Sequence, residues 1–396
     1  MTDLVLSRTI DRALSSGYAQ PQVSDGRTDL DLAVGEARYR LPDPVRAEIG
    51  AAVAGLDRPW YGDPTGSAGL RAAFLHRLLE VPAGDHAEGP NRRAGDMDAG
   101  ELIDRVLVTA GGKEAAMLAV RYQLHRRGHG RVLLPQPGWE PYGIWAHAHD
   151  VRVLPYDPVA LAADPKLLYD IAARDGYRPA TLVLNYPHNP TGVTLDQGRM
   201  DALIAAAVDL GLAVVSDEVY RWFGPQPVSA VHAPAYDPAL HLVVDSTSKW
   251  LTTAGLRVGF LVADEGIVRS LTAFRATYAS CTSIVDQRIA ELLITSATAC
   301  AWLAEVRAEV DVTRRATVQH LTDAGVPVLS DGALYIWCGP PQPGRASGPG
   351  GSARARVTAG ATFGAPDHIR LCTARAGLDP AAAAAAVCTT LRSGHA

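Results

Sequence analysis

Between residues 105 and 262 the chain alternates short apolar runs with longer amphipathic stretches, and no other feature narrows its fold so far. Residues 105–109, 131–134, 151–154, 180–185, 212–216, 242–245 and 257–262 read as strands. Residues 112–127 have helical periodicity and stop at Gly128, and another helix is expected near Gly138. Strand, helix, strand in succession requires crossover connections, and therefore a mostly parallel sheet covered by helices on both faces. Right-handed crossovers bring the loops that follow the strands to one edge, where open α/β sheets bind ligands. The C-terminal third departs from this rhythm. Residues 284–324 are helical in pattern, and strand candidates follow at 326–329 and 333–337. Residues 339–352, rich in Gly, Pro and Ser, can hold no regular element, and a last helix opens at Asp379-Pro380. The expected fold class is α/β: a large domain over residues 41–288, and a smaller α+β domain from residues 1–40 and 289–396.

Composition removes several classes of function. A net charge of -5 offers no broad basic field for nucleic acid. Cys281, Cys300, Cys338, Cys372 and Cys388 form no CxxC pair, which argues against a disulfide framework and for a reducing cytosol. The first residues carry acids and no long apolar core, so they do not read as a signal peptide, and no apolar stretch approaches membrane-spanning length. No GxGxxG follows a strand and GxxxxGK[ST] is absent, which disfavours dinucleotide and Walker-type sites. His125 and His129 are separated by the helix-stopping Gly128 and lack a third ligand, so no metal site is expected. Residues 81–100 read as a surface loop.

The residues with chemical potential fall where the strands end. Asp245-Ser246-Thr247-Ser248-Lys249 follows an apolar run, and Arg257 stands eight residues beyond the lysine. A hydroxyl-rich turn with Lys and then Arg suits an amine that forms a Schiff base beside a bound phosphate, which is what pyridoxal phosphate needs. Gly112 and Lys113 open a helix whose amides and dipole favour an anion. Asp217 and Tyr220 close one strand, Tyr186-Pro187-His188-Asn189-Pro190-Thr191-Gly192 follows another, and Trp139 sits in the turn after a third. Taken singly, each has an ordinary explanation: a solvated lysine, a turn-capping Asp, core aromatics, a turn built by Asn-Pro-Thr-Gly.

In order and spacing these segments resemble the class I/II aminotransferases, pyridoxal-phosphate enzymes of fold type I, over residues 35–370. The resemblance implies roles. Lys249 would be the Schiff-base lysine and then the acid/base. Asp217 would face the pyridine nitrogen. Tyr220 and Asn189 would donate to the ring oxygen, and Trp139 would stack on the ring. Gly112, Lys113, Ser246 and Arg257 would bind phosphate. Arg370, with Gly35 allowing close backbone approach, would take the substrate carboxylate. Tyr61 in Trp60-Tyr61-Gly62 would reach the partner's phosphate in a homodimer. The family's helix before Gly360 is here replaced by residues 339–352, so the small domain reads as shortened and the site as more open or differently lidded. Transamination of an amino acid is the expected reaction. Elimination or replacement, cyclisation and oxidation by the same fold stay open. A sensor domain without catalysis is disfavoured, since about 35 residues precede Gly35 and a DNA-binding module needs more. Tyr18, Trp60, Tyr142 and Trp250 are further aromatics without an assigned place.

Overall fold

The computed structural model describes residues 30–57, 60–80, 102–127, 130–173, 179–224, 226–340 and 353–392. Its strands are β1 (Leu30–Asp31), β2 (Val106–Thr109), β3 (Arg131–Pro135), β4 (Arg152–Tyr156), β5 (Pro179–Asn185), β6 (Ala213–Asp217) and β7 (His241–Ser246). They continue with β8 (Gly259–Val262), β9 (Val328–Gly332), β10 (Tyr335–Cys338), β11 (Ala355–Arg356), β12 (Thr358–Ala359) and β13 (Ile369–Cys372). The longer helices are α1 (Asp43–Ala54), α2 (Ala68–Leu79), α3 (Gly112–Arg127), α4 (Pro141–Ala148), α5 (Gln197–Asp209) and α6 (Glu265–Ala276). After them come α7 (Ile284–Thr295), α8 (Ala297–Asp323) and α9 (Pro380–Arg392).

Seven strands form the main sheet in the order β2-β8-β7-β6-β5-β3-β4. Pairing is parallel from β4 through to β7, and β8 runs antiparallel to both of its neighbours. Alternation along each strand divides the core in two, because successive side chains point to opposite faces. Leu133, Leu182, Leu184, Val214, Val243 and Phe260 face one cluster, completed by Phe74 of α2, Leu203 of α5 and Leu293 of α7. Val132, Val183, Val215, Leu242, Val244 and Leu261 face the other, with Ala115 and Ala119 of α3 and Leu271 of α6. Burial on both faces explains why these strands read as continuous apolar runs.

A separate antiparallel sheet, β12-β13-β10-β9, packs its own core with Leu321 of α8 and Val387 of α9. Asp379 accepts from the amides of Ala381 and Ala382, and so starts α9 where the sequence places it. The expected helix near Gly138 begins at Pro141, behind the bend that Gly138 allows. The expected strand at 257–262 loses its first residues. Arg257 sits in the left-handed region at φ 55°, and pairing starts only at Gly259. The expected loop at 81–100, all but the first two residues of the expected loop at 339–352, and Tyr18 lie outside the described residues. Among the described residues, no single helix is long and apolar enough to cross a membrane.

Candidate active site

Parallel neighbours β5, β6 and β7 end side by side, and Asn185 and Asp217 are register partners. Thr109 of β2 and Ser246 of β7 both pair with Gly259 of β8, which brings the start of α3 to the same edge. Above this edge lies a cavity of about 860 Å³. Its wall contains Gly35, Gly112, Lys113, Trp139, Asn189, Asp217, Tyr220, Ser246, Lys249, Arg257 and Arg370. Of the candidates from the sequence, Tyr61 alone stands away from this wall, with 90% of its surface exposed beside Trp60 at 73%.

Asp217 forms the floor. Tyr142 donates its hydroxyl to Asp217 Oδ2, and the Asn185 side-chain amide holds the Asp217 carbonyl at 3.0 Å. Among the described residues no Lys, Arg or His forms an ion pair with this carboxylate. Burial raises its pKa to about 6, against the lowering effect of the Tyr142 hydrogen bond. The Tyr142 hydroxyl is itself pushed well above its ordinary range by burial and by the adjacent Asp217. A buried carboxylate outside any ion pair, with only the nearby Lys249 amine to attract it, fits a ligand that brings its own cation.

Lys249 projects from a single helical turn, Thr247–Trp250, capped by the Ser246 hydroxyl, which accepts from the Ser248 amide at 3.1 Å. Its Nζ donates to the Gly35 carbonyl at 2.6 Å and lies 5.6 Å from the Tyr220 ring centroid. Enclosure of the amine lowers its pKa to about 8, with Arg370 and Arg257 adding to the effect. Near physiological pH a minor share of such an amine is neutral, far more than of an exposed lysine, and the neutral form is the nucleophile.

Hydroxyls and a guanidinium gather at one end. Ser246 and Ser248 Oγ are 2.8 Å apart, and Arg257 Nη1 reaches Ser248 Oγ at 3.3 Å. Arg257 Nη2 donates to the Ala110 carbonyl at 3.2 Å. A Cβ at Gly111 would strike this guanidinium, and one at Gly112 would come within 2.9 Å of Ser246 Cβ. The two glycines therefore keep the start of α3 close to the turn before Lys249. Lys113 extends to within 5.7 Å of the Trp139 ring centroid, while the edges of Trp139 pack on Tyr142 and Trp145.

Arg370 comes from the other sheet. It donates to Asn189 Oδ1 at 2.6 Å, the Ala33 carbonyl at 2.7 Å and Thr358 Oγ1 at 3.1 Å. Its guanidinium lies over the Tyr335 and Phe363 rings at 4.5 and 4.9 Å, and its Nε is buried without a hydrogen-bond partner. Because Asn189 accepts from Arg370, its amide nitrogen stays free to donate. Further contacts tie the two sheets together: Tyr335 to the Tyr220 hydroxyl at 2.8 Å, Ser330 to the Thr191 carbonyl at 2.8 Å, and the Gly138 amide to the Phe363 carbonyl at 3.1 Å. Residues 341–352, most of the segment on which the expected open site rests, lie outside the described residues.

Comparison with known proteins decides the family. The profile described as "Aminotransferase class I and II" matches residues 27–387. The chain belongs to the class I and II aminotransferase family. It is therefore a transferase, and its cofactor is pyridoxal 5'-phosphate. Over 323 residues the enzyme is 25% identical to an aspartate aminotransferase of Pyrococcus horikoshii, covering 78% of this chain and 75% of that protein. It is 31% identical over 266 residues to histidinol-phosphate aminotransferase 1 of Ralstonia nicotianae, covering 66% and 62%. In fold it is similar to the aspartate aminotransferase of Thermus thermophilus solved with maleate, at TM-score 0.75 and 20% identity over 99% of each chain.

The residues present suit that cofactor. Asp217, outside any ion pair, matches a ring nitrogen that carries a proton, and the glycine-opened turn with Ser246, Ser248 and Arg257 matches a phosphate. Sequence reasoning left out Ser248, Asn185, Tyr335, Thr358 and Phe363, and named Tyr142 without a place for it. Ser248 stood inside the motif already singled out, whereas Tyr335 offered only strand alternation. Trp250 packs on Trp222 at 4.8 Å in the core behind the site.

Proposed function

We propose that this aminotransferase acts on a free α-amino acid through a Schiff base at Lys249. The observation that carries the reading is one cavity holding a partly neutral lysine amine, a buried carboxylate outside any ion pair, and an arginine at each end. When bound, the cofactor supplies an aldehyde that condenses with amines and a ring that accepts electrons. Asp217 holds the proton on the ring nitrogen. Tyr220 and Asn189 would donate to the ring oxygen, and Trp139 would supply an apolar surface for the ring. Ser246, Ser248, Arg257 and the amides of Gly112 and Lys113 hold the phosphate. Arg370 takes the substrate carboxylate beside Gly35, which directs the α-hydrogen toward Lys249. The Lys249 amine then takes that proton and returns it, alternating as base and acid. Release of Lys249 from the Gly35 carbonyl frees it for this transfer.

We also propose a large domain over residues 41–288, a small one from 1–40 and 289–396, and a homodimer in which Tyr61 crosses to the partner's phosphate. The exposure of adjacent Trp60 and Tyr61 supports that surface being covered. The test is borohydride reduction of the loaded enzyme and peptide mapping, followed by a screen of amino acids for release of their keto acids. A reduced adduct on Lys249 with keto acid formed in proportion is the expected result. An adduct on another lysine overturns the assignment. An adduct on Lys249 with release of ammonia, or of an unsaturated or cyclised product, replaces transamination with elimination or ring closure.

A further inference from the structure

Tyr335 is fully buried at the start of β10, and its hydroxyl is directed at another phenol. The Tyr220 oxygen accepts from it at 2.8 Å, and the two rings meet edge to face at 5.2 Å between centroids. The backbone has made room for this pair. A Cβ at Gly35 would fall on the Tyr335 hydroxyl, and the same Gly35 offers its carbonyl to Lys249 Nζ at 2.6 Å. Arg370 lies 4.5 Å above the Tyr335 ring. The charged and titratable groups around the phenol pair are Arg370 and Cys372 from β13, Asp217 from β6 and Lys249 beside β7. An acceptor lone pair filled by one hydroxyl makes the accepting hydroxyl a stronger donor in turn.

We infer that Tyr335 is a positioning residue, acting through Tyr220 to direct and strengthen the hydrogen bond Tyr220 donates to the cofactor's ring oxygen. This rests on the reading of Lys249 and Tyr220 given above. A strong donor at that oxygen draws charge away from the neighbouring Lys249 linkage, so the linkage releases its proton at lower pH. Loss of the Tyr335 hydroxyl weakens the donor, and the linkage keeps its proton to higher pH. A residue that serves packing alone would leave this midpoint where it is.

The test is a spectrophotometric titration of the loaded enzyme, following the pH midpoint of its visible absorption band. Tyr335→Phe keeps the ring under Arg370 and removes only the hydroxyl. We expect its midpoint to rise by roughly half a unit, with kcat reduced and KM for the amino acid within about twofold of wild type. Tyr220→Phe should raise the midpoint further, and adding Tyr335→Phe to it should change nothing more. An unmoved midpoint in folded Tyr335→Phe, checked by near-UV circular dichroism, overturns the inference. So does a Tyr335→Phe shift that persists in the Tyr220→Phe background. If wild type forms no adduct at Lys249, the underlying reading fails together with this role. A normal adduct with an unmoved midpoint sinks the role alone.

Discussion

Burial sets the ionisation of several groups, and two of them, Lys249 and Asp217, bear on the proposed chemistry. Lys249 is shifted down to about 8 by enclosure, far below an exposed lysine. The neutral amine is the form that attacks an aldehyde, so the rate of cofactor loading should rise through a midpoint near 8 and level off above it. Stopped-flow absorbance of the apo-enzyme mixed with cofactor measures this, and a rate still climbing steeply at pH 10 would refute the enclosed amine. Asp217 is shifted the other way, up to about 6, because burial disfavours its charge. On the proposal above, a ring-nitrogen proton would supply the ion-pair partner that Asp217 lacks. Asp217→Asn should therefore lower kcat by about 10²-fold or more while leaving the Lys249 adduct detectable by borohydride mapping.

At the scale of elements, the loop after β5 and the hairpin between β9 and β10 meet backbone to backbone. Gly192 has φ 73°, and a Cβ there would lie 2.5 Å from the Gly332 nitrogen. Ser330 bonds the Thr191 carbonyl beside this contact, and Asn189 bonds Arg370 on its other side. The glycine of Asn-Pro-Thr-Gly thus serves the junction between two sheets as well as its own turn. Gly192→Ala should destabilise the protein by about 2 kcal/mol, from the left-handed backbone and the forced separation. The urea midpoint reports that loss, and KM for the amino acid should rise with it because Arg370 and Asn189 are displaced together. Unchanged stability and KM would show that the hairpin yields freely.

At the scale of the whole molecule, the site draws on both sheets and, by the proposal above, on a second chain. Tyr61 is 90% exposed and is not part of its own chain's cavity wall. If it serves the partner, Tyr61→Phe should weaken cofactor binding about tenfold, the worth of one hydrogen bond to a charged group. Mixing inactive Lys249→Ala chains with Tyr61→Phe chains, after dissociation and reassociation, should restore tight binding at up to about a quarter of all sites. Restoration to none would place Tyr61 in its own chain's business or in none.

The linear order of residues was enough for the parallel sheet, because short continuous apolar runs separated by helices admit few other arrangements. It also placed Asp217, Asn189, Ser246 and Lys249 along one edge, since each sits at or just after a strand end and short crossovers collect strand ends there. Local pattern could not supply partners that are distant in the chain. Tyr142 meets Asp217 across 75 positions, and Tyr335 meets Tyr220 across 115. Nor does a motif announce that Arg257 adopts a left-handed backbone, which aims its guanidinium at Ala110 and Ser248. Those placements depend on how two sheets pack and on which buried polar groups can satisfy one another there. Periodicity specifies which face of an element is buried, but the packing of complete side chains specifies what that face touches.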